Sequence, residues 1–207
     1  MCADYGNLRR EIELLEQAGI DIFHIDVMDG KFVPNFAMGF QEIEFLGKTA
    51  TKPLDAHLMI HEPMNYVERL IDAGVSIIYI HPEADTHAPR TLSKIAELGA
   101  KPGICINPAT TVHTIEPLLH LSEYVMAMAV NPGFAGQKVL PFVDAKIVEL
   151  AELKQRYGYT LLVDGGCSDE RVAALGARGV DGFVLGYSSL FGRGKPYGEI
   201  IAALRAR

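Results

Sequence analysis

Apolar positions along the chain follow two alternating rhythms. Short, nearly continuous runs rich in Val, Ile, Leu and Tyr occur at residues 20–26, 53–59, 76–81, 103–106, 124–130, 159–164 and 180–185. Runs of this length and β-branched content predict strands buried on both faces, as in a parallel sheet. Between them, apolar residues return at helical spacing: Leu8, Ile12 and Leu15, or Val143, Ile147 and Leu150, fall at i, i+4 and i+7. Glycine marks the passage from helix to strand at Gly19, Gly74, Gly99 and Gly179, as a C-terminal stop does. Ser168, followed by Asp169 and Glu170, predicts a capped helix start. Repetition of helix, glycine and strand is the pattern of βα units. The predicted fold is α/β, a TIM-type (β/α)₈ barrel with residues 1–207 as one domain. Seven strands stand where eight are required, so the first strand is expected to be truncated or missing.

Composition narrows the function classes. Apolar residues at 49% and charged residues at 22% are values of a globular chain and exclude wholesale disorder. A formal charge of −7 argues against a nucleic-acid or anionic-membrane surface, so an anionic ligand must be held by local groups. The three cysteines, Cys2, Cys105 and Cys167, have no paired spacing, and no secretory or membrane-spanning run is present. A reduced, cytoplasmic protein is expected. Cys167 lies near Asp164 but has no adjacent base, which marks it as a passive neighbour.

The chemistry concentrates where the runs end. Residues 24–35 read HIDVMDGKFVPN, and His24 and Asp26, two apart on a strand, project to one side. Taken alone, the pair reads equally as half a metal site or as a hydrogen-bonded histidine beside a turn former. Residues 53–60, PLDAHLMI, and 161–166, LLVDGG, add one donor each, His57 and Asp164. If the three strands converge, two histidines and two carboxylates meet. Gly133, Gly136, Gly165, Gly166 and Gly186 offer backbone N–H groups to an anion, although any single glycine pair is ordinary in an α/β protein.

The segments HIDVMDGKFVPN, PLDAHLMI, HPEA, VNPGFAGQ and VDGG, in this order, resemble the ribulose-phosphate 3-epimerase family over essentially the whole chain. The resemblance implies metal-dependent 3-epimerisation of a ketose phosphate, D-ribulose 5-phosphate to D-xylulose 5-phosphate, through an enediolate. It implies a divalent ion on His24, Asp26, His57 and Asp164, with zinc expected and iron, manganese or cobalt compatible. Asp26 and Asp164 become the acid/base pair. The substrate and its phosphate fall to His57, Gly133, Phe134, Ala135, Gly136, Gly165, Gly166, Gly186 and Tyr187, and Met28, Met59 and Met128 line the site. A homo-oligomer acting on a small phosphorylated ketose is expected, with neither nucleic acid nor membrane as partner.

Departures from the family pattern matter. Ala135 replaces a common glycine, and Gly186-Tyr187-Ser188-Ser189-Leu190-Phe191 is one residue longer than the usual stretch after the last strand. The longer form resembles allulose-6-phosphate 3-epimerases, whereas the stretch from His81 to Leu92 resembles the pentulose branch. No counterpart exists for the substrate-contacting serine of the family's first strand. Two rivals are a non-catalytic phosphosugar-binding barrel and a decarboxylase-type barrel; the second would be expected to carry a strand-end lysine. His61, His113 and His120 are expected to face solvent, and Arg193 and Lys195 are candidates for assisting an anion.

Overall fold

In the computed structural model, which describes residues 1–206, the helical face read from Leu8, Ile12 and Leu15 belongs to α1 (Leu8–Gln17), and Ile12 and Leu15 are buried. Gly19 follows it at φ +85°, a left-handed turn that admits glycine cheaply. The chain then alternates. Strand β1 (Phe23–Asp29) and a two-residue strand β2 (Phe36–Ala37) precede α2 (Phe40–Thr49). Next come β3 (Leu54–Met59), α3 (Val67–Asp72), β4 (Val75–Ile80), α4 (Ala88–Glu97), β5 (Lys101–Ile106), α5 (Val112–Ile115) and β6 (Tyr124–Met128). The chain closes with α6 (Val143–Tyr157), β7 (Thr160–Asp164), α7 (Asp169–Gly176), β8 (Gly182–Val184) and α8 (Tyr197–Arg205). Ser168 caps α7 as its sequence predicts, its hydroxyl accepting from Arg171 N–H at 3.3 Å.

The sheet runs in the order β2-β1-β3-β4-β5-β6-β7-β8, parallel throughout except for β2, which pairs antiparallel with the end of β1. All seven expected strands are therefore present, and β2 is an addition whose two residues are too few to leave a periodic signal. Among the described residues no strand joins the outer edges of β8 and β1, where the missing stave was expected. Two boundaries move. The run at 20–26 becomes a strand only from Phe23, because Ile20 N–H still bonds Leu15 of the preceding helix and exposed Asp21 pairs with Arg205 at 2.9 Å. The run at 180–185 pairs only over Gly182–Val184.

Alternation along each strand creates two cores. Outward residues such as Leu58, Ile78, Ile104 and Val125 pack under the helices. Inward residues Ile77, Tyr79, Cys105, Met126, Met128, Val130 and Leu162 fill the barrel interior. Tyr79 fits there because Gly103 opposite has no side chain; a Cβ at that position would sit 2.6 Å from the ring. That filled interior supports the polar layer above it.

Candidate active site and cation-binding cluster

Register decides which polar side chains share a level. β1 pairs with β3 so that His24 faces Asp55, Asp26 faces His57 and Met28 faces Met59, and β6 pairs with β7 so that Met128 faces Asp164. His24 and Asp26 lie inside β1, which runs on to Asp29, and His57 lies inside β3; only Asp164 is a true strand end. The four nevertheless converge. Asp26 Oδ1 is 3.6 Å from His24 Nε2 and 3.6 Å from His57 Nδ1, and Asp164 Oδ2 is also 3.6 Å from His57 Nδ1. One donor atom from each of the four residues lies within 4.8 Å of the others.

These residues fit a divalent ion on their own chemistry. His24 Nε2 and His57 Nδ1 are buried and have no hydrogen-bond partner, the first facing Asp26 and the second facing both Asp26 and Asp164. Buried polar atoms are normally satisfied, so two orphaned imidazole nitrogens aimed at one point call for a shared ligand. Supporting contacts lie behind them. His24 Nδ1 is 2.5 Å from Asp55 Oδ1, and His57 Nε2 is 2.8 Å from His81 Nε2.

Burial works against the charge of His24, but the carboxylates of Asp55 and Asp26 outweigh it and hold the imidazole well above its ordinary value. Burial likewise opposes ionisation of Asp26, yet the nearby imidazoles of His24 and His57 keep its carboxyl well below the usual range. Asp164 lies the other way: burial raises it, with the histidines only partly compensating. Two carboxyl groups at one site thus differ in how readily they hold a proton.

A cavity of about 510 Å³ opens over this cluster and includes His24, Asp26, Met28, Met59, Met128 and Asp164 in its wall. Gly133, Phe134, Ala135, Gly136, Gly165, Gly166, Gly186 and Tyr187 stand on the same wall. His57 does not, being wholly buried behind it. The loop around Gly133 is held from both sides, since Asn35 Nδ2 donates to Gly133 O at 2.8 Å and Gln137 Nε2 donates to Asn131 O and Phe134 O. Gly165 and Gly166 have φ of +94° and +60°, and a Cβ on Gly166 would meet Val139 at 2.1 Å, so only glycine fits that turn.

A model of the ribulose-phosphate 3-epimerase family matches residues 1–191. The chain belongs to the ribulose-phosphate 3-epimerase family. It is 39% identical over 194 residues to the ribulose-phosphate 3-epimerase of Aquifex aeolicus, covering 93% of this chain and 87% of that one. It is also 39% identical over 196 residues to the Bacillus subtilis enzyme of that name, covering 93% and 90%. Its fold is similar to a mutant tryptophan synthase alpha-subunit from Pyrococcus furiosus, with TM-score 0.71 at 14% identity over 99% of this chain and 93% of that chain. A 3-hexulose-6-phosphate synthase aligns with TM-score 0.65 at 18% identity, over 94% and 91%.

Several residues fall elsewhere than their sequence suggests. Arg193 is turned toward Asp169, with Nη1 2.6 Å from its carboxylate, and so is engaged away from an anion. His113 and His120 are exposed but His61 is only partly so. Cys167 is buried and burial pushes its thiol up to about 12, consistent with a passive neighbour. Asp55 and Glu83 are polar groups that sequence reading passes over. Asp55 sits two residues before His57, hence on the same face of β3, and that spacing was its available signal.

Proposed function

We propose that this chain interconverts D-ribulose 5-phosphate and D-xylulose 5-phosphate, one aspartate removing the C3 proton and a second returning a proton to the opposite face. The observation that carries the reading is the convergence of Asp26 and Asp164, from β1 and β7, on a single histidine nitrogen just behind the wall of a glycine-lined cavity. Epimerisation removes a proton from one face of C3 and returns one to the other, which needs a base on each side of the sugar. Asp26 takes the proton from one epimer and keeps it while Asp164, already protonated, supplies another on the opposite face, and the roles exchange in reverse.

His24, Asp26, His57 and Asp164 would hold one divalent ion, zinc by preference for imidazole and carboxylate donors. When bound, that ion supplies Lewis-acid charge for the oxyanion that develops beside C3. Met28, Met59 and Met128 keep water from the reacting carbon. Backbone N–H groups of Gly133, Phe134, Ala135 and Gly136, of Gly165 and Gly166, and of Gly186 and Tyr187 receive the phosphate, and His57 orients the sugar only through the ion, being buried. A cytoplasmic homo-oligomer is part of this proposal. Described residues include no helix long and apolar enough to cross a membrane.

Incubating zinc-loaded protein with D-ribulose 5-phosphate in D₂O tests the reading. Xylulose 5-phosphate carrying deuterium at C3 is expected. Its absence, with the metal verified in place, overturns the proposal.

A further inference from the structure

The cation site uses one nitrogen of His57 and leaves the other facing the barrel interior. His57 Nε2 lies 2.8 Å from His81 Nε2, and the two rings are stacked with centroids 5.0 Å apart. Two ring nitrogens at that separation share one hydrogen, so one ring donates and the other accepts. Which one donates is set a step further out. His81 Nδ1 is buried, has no hydrogen-bond partner and lies 3.5 Å from Glu83 Oε2. The other oxygen, Glu83 Oε1, is already committed: it accepts Asn107 N–H at 3.0 Å and the Thr110 hydroxyl. An ionised carboxylate only accepts, so the nitrogen facing it carries the hydrogen. His81 is then bare at Nε2, His57 donates from its own Nε2, and His57 Nδ1 is left bare toward Asp26 and Asp164.

We infer that His81 and Glu83 are positioning residues that fix the His57 tautomer able to bind a cation, and that Glu83 sets the direction of the whole relay. This rests on the cation site proposed above. A ligating histidine usually donates its second N–H to a carboxylate, a carbonyl or water, each of which can only or readily accept. An imidazole acceptor is different, because it can pass the hydrogen either way. Its polarity must come from outside, and Glu83 is the group placed to supply it.

Glu83→Gln tests the relay with almost no change of shape. Asn107 N–H and the Thr110 hydroxyl retain the amide oxygen, so the amide NH₂ turns to His81 Nδ1. A donor there reverses each step: His81 carries hydrogen on Nε2, His57 accepts it, and His57 Nδ1 becomes protonated. Metal-free full-length protein titrated with zinc should bind about 10- to 100-fold more weakly in this variant. Long-range ¹H–¹⁵N spectra of histidine-labelled metal-free protein should show His57 change from the Nε2–H to the Nδ1–H form, which a merely structural role for Glu83 does not require. Unchanged zinc affinity with an unchanged His57 tautomer overturns the relay. If Glu83→Gln does not fold, His81→Met, which removes the acceptor, is compared with His81→Gln, which restores one; zinc binding should weaken in the first and recover in the second, and equal affinities overturn the inference. Wild-type protein that binds no zinc at the four residues refutes the site itself, whereas a wild type that binds and variants that bind alike refute the relay alone.

Discussion

On one side of the barrel, β3, β4 and β5 pair with neighbours on both edges, and all but one residue in each of β4 and β5, and every residue of β3, are buried. At the seam between β8 and β1 the three residues of β8 are all only partly buried, and so are Ile20, Ile22 and Leu185 around it. The sequences of the two regions are similarly apolar. What differs is the number of strands flanking them, which shows that burial here comes from neighbours and not from composition. The cavity over the candidate site continues into the seam, where Ile22, Leu162, Phe183 and Leu204 join its wall. The site therefore draws its supports, Asp55, His57, His81 and Glu83, from the complete wall, while Asp26 stands on β1 at the seam and Asp164 on β7, one strand in from it.

Replacing the proposed base on β7 should have the largest effect. Asp164→Asn is expected to lower kcat for epimerisation by about 10²- to 10⁴-fold, the range a positioned acid/base group contributes. Exchange of the C3 hydrogen with solvent from one epimer should survive through Asp26. Proton NMR in D₂O reads both, with zinc content measured alongside because the variant also alters a ligand. Undiminished epimerisation by the metal-loaded variant would rule out a two-base assignment.

The contrast in packing is next in size. Leu58 lies fully buried on β3, and Leu58→Ala should cost about 2–5 kcal/mol of unfolding free energy through lost transfer energy and a cavity. Phe183 on β8 is only partly buried, and Phe183→Ala should cost less than Leu58→Ala despite removing more atoms. Urea denaturation of both variants measures the difference. Equal costs would mean that the seam is packed as tightly as the wall.

Much of this was legible because strand alternation is local. Continuous apolar runs locate seven strands, and the spacing of two in HID puts His24 and Asp26 on one face. Pairing register was not legible, since it depends on which residues meet across strands, and without it neither Asp55 behind His24 nor His81 behind His57 acquires a role. Glu83 stands in the HPEA segment, but its partners Asn107 and Thr110 lie 24 and 27 residues away. Strand edges were legible only approximately, because the turn after α1 and the ion pair of Asp21 with Arg205 hold residues outside the sheet that periodicity would include.

Acid should act on the complete wall through Glu83. Burial opposes its ionisation, but His81, Thr110 and Asn107 N–H hold its carboxyl down to about 2. A carboxyl whose folded value is depressed below its unfolded one contributes stability that is full above the unfolded value and lost as pH falls through the folded one. The stability difference between wild type and Glu83→Gln should accordingly be about 1–2 kcal/mol near neutrality and shrink as pH falls from the ordinary glutamate range toward 2. Denaturation curves at several pH values give the difference directly. A gap that stays constant down to the lowest pH would show that the Glu83 carboxylate is not held by the wall.

The smallest effect is expected at the mouth beside the seam. Residues Tyr187–Phe191 form a π-turn, with Gly192 N–H bonding Tyr187 O at 2.7 Å and Phe191 N–H bonding Gly186 O at 3.3 Å. Such a turn absorbs an insertion without redirecting the chain on either side. Tyr187 is 59% exposed, and its ring lies over Gly192, where a Cβ would meet it at 2.6 Å. The ring is thus propped against the outer loop and leaves the depth of the cavity largely unchanged. Replacing Tyr187, Ser188 and Ser189 by the dipeptide Ser-Ala should therefore alter the ratio of kcat/KM for D-ribulose 5-phosphate over D-allulose 6-phosphate by less than about tenfold, under about 1.4 kcal/mol of differential transition-state binding. The wild type should already prefer the pentulose. Steady-state assays of both proteins with both sugars decide the matter: a larger shift would make the π-turn the gauge of substrate length, and a wild-type preference for the hexulose would reverse the choice of substrate while leaving the two-aspartate chemistry in place.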